Sequence, residues 1–597
     1  MAVATSALYA ARAPRLLISK IGKESLSTLW PYKHVQHPRS SASSEAYGMR
    51  VVILGGYGVF GSRLAELLVR DGHDVVITGR DAAKLSEFAK RLNCRHVALD
   101  HRSDPLALFG VRPEVVVDAA GPFQSYVNDP YIVPRLCLEH GADYLDLSDD
   151  AEFTQGIIQL DDRARSRSRR LLSGASSVPG ISSAITAYLC AGMDEVTLID
   201  TAIVPGNRAP RGASVISSIV SQLGTKSRVF RGGVWRSQLC WSDARQIELA
   251  PNLSRTARFI EVPDIRLFPK FFGAKSVIFR AGLELNILNL AMSLIAVMRQ
   301  RWMWVVTPGL AESLRRIANL FLPFGTDRGG MRVIVVGRSN ETVVQREWRL
   351  IVEAGDGPYI PAVMARVLIR KLSSVPVGAR SCLAEASRAE VESAMSDLAL
   401  SVETHESPNP TLFQSALAER WELLPREVQA LHSVQDVESF LGTARVTRGT
   451  TLIASFVAWV FAFPHEADQV PLSITKTRTE TGETWERNFG GSVFRSYLTP
   501  APDLYRCRER FWPFNFELDL PVQDGCMRFP VRRGWFLGLP LPRFLLPGSE
   551  SREYSEGGVF NFDVSLTAPF GGGLIVRYQG KVKPDREDSE AASSKPL

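Results

Sequence analysis

The chain has 597 residues, 45% of them hydrophobic, and a formal charge of +7 at pH 7, so it is long enough for about three to four domains. A charge this mild for the length argues against a nucleic-acid partner. The seven cysteines (Cys94, Cys137, Cys190, Cys240, Cys382, Cys507 and Cys526) are odd in number and without CxxC spacing, and the histidines are scattered. That excludes a disulfide framework, predicts no metal site, and fits a reducing, cytoplasmic setting.

Residues 1–48 are Ala/Ser-rich and carry six Lys/Arg against Glu24 and Glu45. They read either as an amphipathic presequence or as an extension upstream of a start at Met49. The second reading is preferred, because Met49 and Arg50 directly precede the first strand. Either way the stretch is expected to be disordered.

Residues 51–54 are a short continuous apolar run, as a parallel strand buried on both faces requires. They lead into Gly56-x-Gly58-x-x-Gly61, the dinucleotide fingerprint, with Tyr57, Val59 and Phe60 between the glycines. Gly56 is expected to turn the chain, Gly58 to let the backbone approach a pyrophosphate, and Gly61 to let the next helix pack close to the strand. That helix, with Phe60, Leu64, Leu67 and Leu68 on one face, directs free N–H groups and its positive end at the phosphates.

A second strand, 74–78, ends in Gly79 and Arg80. Arg80 lies 24 positions past Gly56, where NAD-selective domains usually place an acid for the ribose 2′-hydroxyl. A guanidinium there can pair with a 2′-phosphate, so NADP is predicted over NAD. Asp81 caps a helix to Leu92. Residues 95–100 read as a third strand, with Asp100 at its tip either accepting from an adenine amine or capping a helix. Residues 114–120 are the fourth. Ala119, Ala120, Gly121, Pro122 and Phe123 follow at the carboxyl end of the sheet and are expected to line the nicotinamide end of the crevice. A helix near 129–140, a fifth strand at 142–147, a long polar helix to Arg170 and a sixth strand at 171–175 complete a doubly wound parallel sheet. Asp146, Asp149 and Tyr126, at the strand tips, are the candidate proton donors.

Together, residues 55–61, 78–80, 117–123, 144–147 and 174–180 resemble the saccharopine dehydrogenase-like family, in its branch with an NADP-binding domain. The resemblance spans roughly residues 49–400. It implies a nicotinamide-dependent oxidoreductase, with substrate recognition and dimer contacts in an α+β part behind the cofactor domain. It does not imply that saccharopine is the substrate, because the family's second domain varies. The resulting division is a dinucleotide-binding domain at 49–180 and an α+β substrate and dimerisation domain at 181–402 that returns to the first. A linker at 403–423, a β-rich domain at 424–583 and a disordered tail at 584–597 follow.

In the second domain a helix is read at 214–223 and a hairpin at 331–336 and 343–353. The turn at 355–362 leads into an apolar helix to Leu372. Residues 285–298 are apolar but too short and polar to span a bilayer. They are read as a buried core or interface helix, against the alternative of a segment lying at a membrane surface with the Arg and Trp residues of 299–304.

Residues 451–463 read as a second buried helix. Period-two alternation at 514–520, 560–567 and 574–579 gives antiparallel strands with one dry face, the last two joined by the glycine turn 571–573. A curved sheet of this kind can enclose a core or an apolar ligand. The proline-broken stretch 534–547 is apolar enough to cover the sheet or touch lipid. This part resembles a domain of uncharacterised function found fused behind saccharopine dehydrogenase-like modules.

The favoured reading is an NADP-dependent oxidoreductase with an unknown, apolar substrate. The alternatives are a cofactor-binding sensor or scaffold without turnover, and a peripheral membrane protein held by residues 285–304 and 534–547.

Overall fold

The computed structural model describes residues 48–126, 128–210, 212–302, 308–340 and 342–585. The amino-terminal extension to residue 47 and the tail from residue 586 lie outside the described residues.

The first domain comprises β1 (Arg50–Leu54), α1 (Val59–Arg70), β2 (Asp74–Gly79), α2 (Ala82–Leu92), β3 (Arg95–Ala98), β4 (Val115–Asp118), α3 (Ile132–His140), β5 (Asp143–Asp146), α4 (Ala151–Gly156), α5 (Asp161–Ser166) and β6 (Arg170–Ser173). The apolar run of β1 is explained by its position. Val51 and Ile53 enter the core on one side of the sheet, and Val52 and Leu54 the core on the other. Two expected elements differ. β3 stops at Ala98, because residues 100–104 fold into a turn of their own. The long polar helix is instead the short pair α4 and α5, joined by a 3₁₀ turn at Ile157–Leu160, with Ile157, Leu160 and Ala164 buried beneath the sheet.

The second domain runs through α6 (Ser182–Cys190), β7 (Glu195–Val204), α7 (Ala213–Gln222), the hairpin β8 (Lys226–Arg231) and β9 (Val234–Leu239), β10 (Arg245–Ala250), β11 (Leu253–Phe259), α8 (Pro263–Phe272), β12 (Ser276–Gly282), α9 (Asn286–Trp302), α10 (Pro308–Leu320), β13 (Gly329–Ser339) and β14 (Thr342–Val352). The chain then returns through α11 (Ile360–Arg370), β15 (Gly378–Ser381), α12 (Arg388–Ser393) and β16 (Leu400–Pro408). The first sheet has the order β15-β6-β5-β4-β1-β2-β3, with every pair parallel. Its seventh strand, β15, was not expected: the short Gly-Ala-Arg-Ser segment carries no apolar run. The second sheet is mixed, in the order β10-β11-β12-β7-β13-β14-β16.

α11 packs on the first domain through a buried ion-pair cluster. Arg366 donates to both carboxylate oxygens of Asp71 at 2.9 and 2.7 Å, to Asp397 at 2.7 Å and to the carbonyl of Ala394 at 2.9 Å. The guanidiniums of Arg366 and Arg370 hold Asp71 at about 2 against the opposing effect of burial.

Residues 403–423 are not a linker. Up to Pro408 they are β16, paired with β14. The next turn is α13 (Leu412–Leu417), capped by a reciprocal pair between Thr411 and Gln414 and buried with Trp421 in the core of the C-terminal domain. Pro408 and Pro410 mark only the end of the strand. After α14 (Arg426–His432), a long antiparallel sheet begins at Val437 and ends at Pro584. It encloses a cavity of about 140 Å³, lined mainly by Val457, Phe461, Trp485, Leu498, Phe529 and Ile575 with Arg487, Glu509 and Glu553 at its polar part. The tip of the β8–β9 hairpin joins this domain to the second: Arg231 makes a buried bidentate pair with Asp436, one bond measuring 2.9 Å.

Both apolar segments read as buried helices depart from that expectation. α9 buries Leu288, Asn289 and Ala296 but leaves Ile287, Leu290, Leu294 and Val297 exposed along one stripe. α15 (Leu452–Val460) buries only Ala454 and Ala458. Each covers its neighbours with one face only, so an apolar sequence does not bring the second face inside. Among the described residues no helix is long and apolar enough to cross a membrane.

Candidate functional site

The crevice lies at the carboxyl ends of β1, β2, β4, β5 and β6. The glycine turn there divides its labour differently from the sequence expectation. Gly55, not Gly56, turns the chain, with φ at +67°, a left-handed conformation that favours glycine. Gly56 is needed because a Cβ would come within 2.5 Å of the Ile77 side chain, and Gly55 because one would lie 2.8 Å from Ala120 Cα. A Cβ on Gly61 would run into the Gly55 carbonyl, and one on Gly58 would sit 3.0 Å from it. The helix is therefore held tight against the end of β1.

The start of α1 fits an anion. Gly58 is its N-cap and supplies no side-chain hydrogen bond, and the first turn contains no acid. The N–H groups of Val59, Phe60 and Gly61 belong to the first turn, where a helix offers them no partner of its own. Tyr57 lies over Gly79 at the end of β2, and its hydroxyl accepts from the Asp81 N–H at 3.3 Å. Arg80 beside it is exposed and enters none of the ion pairs among the described residues. Asp81 caps α2 by accepting from the Lys84 N–H. A glycine-lined turn, a helix start without competing anion and an unengaged guanidinium at the β2 tip together fit a phosphorylated dinucleotide.

Asp100 caps no helix, since the N-cap of the 3₁₀ helix Pro105–Val111 is Asp104. The Asp100 carboxylate accepts from the Arg102 N–H at 3.1 Å and its carbonyl from the Asp104 N–H at 2.9 Å, closing the turn after β3. Ala119, Ala120, Gly121 and Pro122 are half-buried at the crevice. Phe123 is not in its wall: the ring is buried beneath it, against Tyr126 and Phe153 at 5.2 and 5.0 Å.

The three candidate proton donors occupy different environments. Asp146 is fully buried. One carboxyl oxygen accepts from the Gly174 N–H, the Ser148 N–H and the Ser173 hydroxyl at 2.8, 3.0 and 3.0 Å. Burial raises it to about 7 despite those bonds, and it ties the tips of β5 and β6 together without reaching solvent. Tyr126 is also engaged. Its hydroxyl donates to the buried carboxylate of Asp118 at 3.1 Å and lies 3.3 Å from His101 Nε2, with the Arg102 guanidinium over its ring. Burial pushes both Asp118 and Tyr126 upward.

Asp149 differs from both. It is half-buried, and one carboxylate oxygen accepts from the Ser218 hydroxyl of α7 at 3.2 Å; that hydroxyl in turn accepts from Gln124 Nε2 at 3.2 Å. Desolvation raises the Asp149 carboxyl above the ordinary range, against the lowering effect of the Ser218 bond. The relay joins the tips of β4 and β5 to the second domain. Ser218 and Gln124 were missed by the sequence reading. Ser218 lies 69 positions from Asp149, and no local pattern marks it. Asp118 did leave a signal, as an acid closing an otherwise apolar strand run.

The fold and crevice define a Rossmann-type nucleotide-binding domain, followed by a mixed-sheet domain and a β-rich domain. Residues 51–170 match the family model described as saccharopine dehydrogenase NADP binding domain. Residues 424–582 match a domain of unknown function, DUF4166. No curated protein matches the chain. Among solved structures, the chain is similar to apo saccharopine dehydrogenase (L-Glu forming) from Saccharomyces cerevisiae, at 12% identity over 60% of this chain and 100% of that one, with a TM-score of 0.42. It is also similar to a probable dehydrogenase from Thermotoga maritima, at 11% identity over 60% of this chain and 98% of that one, with a TM-score of 0.30.

Proposed function

We propose that the chain is an NADP-dependent oxidoreductase in which Arg80 reads the 2′-phosphate and Asp149 is the proton-transferring group. The observation that carries this reading is the start of α1: glycine-lined, uncapped and acid-free, with the unengaged Arg80 beside it. The residues that would hold the dinucleotide are the turn 55–61 at the pyrophosphate, Arg80 at the 2′-phosphate, and Ala119, Ala120, Gly121 and Pro122 at the nicotinamide. When bound, the cofactor supplies the hydride chemistry.

The chain's own task is then to orient the substrate and move a proton. Ser218 fixes one Asp149 oxygen, so a proton on the carboxyl is carried by the other. Gln124 fixes Ser218 in turn, and the raised affinity of Asp149 for its proton suits a general acid. The apolar cavity of the C-terminal sheet supports an apolar substrate.

The test is titration of NADPH and NADH by nicotinamide fluorescence. Wild type should prefer NADPH. Arg80→Asp should weaken NADPH by about tenfold or more, the scale of one lost charge-assisted phosphate contact, and leave NADH nearly unchanged. Equal losses for both would remove Arg80 from the reading. NADPH bound tightly but never oxidised with any cell metabolite would favour a sensor over an enzyme.

A further inference from the structure

The most exposed apolar side chains of the C-terminal domain lie on α15 and on a few turns connected to it. On α15, Leu452 is 90% exposed and Trp459 76%, with Phe456 between them also outside. The tip of the hairpin joining strands Arg506–Phe511 and Phe514–Asp519 carries Trp512, 81% exposed. The next turn presents Leu537 and Leu539, the 3₁₀ turn at Arg543–Leu545 presents Phe544, and the turn before the last strand presents Phe570.

Contacts connect these points into one rim. Thr451, the N-cap of α15, donates its hydroxyl to the Gly572 carbonyl at 2.6 Å. Phe570, in the same turn, lies 5.6 Å from Phe544. At the other end of α15, Phe461 lies 5.5 Å from Phe514, which lies 5.0 Å from Phe536.

We propose that this rim docks the protein on an anionic phospholipid bilayer, with α15 lying in the headgroup boundary. Charge argues for that occupant. Residues 452–462, 510–514, 534–549 and 568–573, which form the rim, contain the exposed Arg510 and Arg543, neither in an ion pair among the described residues, and no acidic residue, while Arg532 and Arg533, further down their strand, are paired with Asp519 and Glu517. Arginines among exposed apolar tips complement anionic headgroups. Exposed indoles suit the same boundary, where one end of the ring is apolar and the other wet.

The arrangement of the apolar side chains argues the same way. They project singly from a helix and separate turns, as wedges into a fluid surface do, and do not line a groove for a partner helix. α15 has nine residues, about 14 Å at the ordinary rise, well short of the roughly 30 Å of a hydrocarbon core, so it lies in the surface and does not span it. Its inner face, through Val457 together with the adjoining Phe461, lines the apolar cavity. A cavity of about 140 Å³ is of the size that admits a benzene-like group, so the docked helix would separate the bilayer from a space that accepts the end of a hydrocarbon chain.

The experiment is co-sedimentation of the full chain with vesicles of phosphatidylcholine alone and of equimolar phosphatidylcholine and phosphatidylglycerol. Binding to the anionic vesicles that weakens with salt, and a blue shift of tryptophan emission, are expected. The variant carrying Leu452→Ser, Phe456→Ser and Trp459→Ser should lose about tenfold or more in vesicle affinity, with its thermal unfolding unchanged because all three side chains are outside. Arg510→Glu with Arg543→Glu should remove the preference for anionic vesicles. A control carrying Ile287→Ser, Leu290→Ser and Leu294→Ser on α9 should still bind.

The proposal is overturned if wild type stays in the supernatant with anionic vesicles at low salt, or if the α9 variant alone loses binding. It is also overturned if the α15 substitutions dissolve a self-association while vesicle binding is absent, which would make the rim a contact between copies of this chain. None of these outcomes bears on the NADPH titration, so the two readings fail separately.

Discussion

α11 and α15 are both short, almost uncharged apolar helices, yet they have opposite fates. α11 lies between the first sheet and the second domain, and nine of its eleven residues are buried. Its one buried charge, Arg366, is matched by Asp71 and Asp397. α15 rests on the rim of a curled sheet that covers only one of its faces. The difference teaches that hydropathy marks a helix as needing cover, while the number of layers around it decides whether the chain itself supplies that cover. α11 is enclosed on all sides, whereas α9 of the second domain and α15 of the C-terminal domain each keep one apolar face outward.

Packing gives the largest contrast to test. Leu368→Ala in α11 removes a fully buried side chain and should cost about 2–5 kcal/mol. Leu452→Ala in α15 should stay within about 0.5 kcal/mol. Denaturant unfolding of the two variants measures both; comparable losses would mean that α15 is covered in solution.

The second contrast is in pH, where the two regions should respond with opposite sign. Burial raises Asp146 and Asp264, in the first two domains, to about 7. The native state then holds more protons than the unfolded chain between about pH 4 and about pH 7, so their contribution is full below that window and is lost as pH rises through it. In the C-terminal domain, His432 is fully buried between Glu553, at 2.6 Å from Nε2, and the Lys476 ammonium, at 3.3 Å from Nδ1. Desolvation first, then the Lys476 charge, lowers it. Here the unfolded chain binds the extra proton, and stability is lost as pH falls below the ordinary histidine range. Thermal unfolding across pH should show Asp264→Asn reducing the loss of stability as pH rises from about 4 to about 7, and His432→Gln reducing the loss as pH falls below the ordinary histidine range. One variant removing both trends would break the contrast.

The third contrast concerns the relay at the crevice, where turnover and not stability is expected to change. Asp149→Asn should leave NADPH affinity within about twofold, because the carboxyl lies away from the phosphate-binding turn, while turnover falls by about 10²–10⁴. Ser218→Ala should shift the basic limb of the pH profile upward, since the Ser218 bond holds the Asp149 proton affinity down. An unchanged profile would reduce Ser218 to a structural tie.

Much of the first sheet was legible from local patterns. Six strands, the fingerprint and the Arg80 position are all written in runs of a few residues, because a parallel strand buried on both faces must be apolar throughout. Within the same turn, the division of roles between Gly55 and Gly56 was not legible, since Ile77 and Ala120, which demand each glycine, come from β2 and the end of β4. The seventh strand escaped for the same reason. Gly378, Ala379, Arg380 and Ser381 become a strand only by pairing with β6.

By itself, then, the sequence determined the dinucleotide turn, the parallel order of the first domain and the alternating strands of the last, all of which rest on the two- and 3.6-residue periods of local geometry. Tertiary structure alone decided that Asp149 meets Ser218, that Phe123 and Tyr126 turn inward, that residues 403–423 join two domains as ordered structure, and that α15 faces outward. Each depends on which surfaces distant segments bring together, and solvent exposure is a property of that assembly, which no short stretch of chain carries.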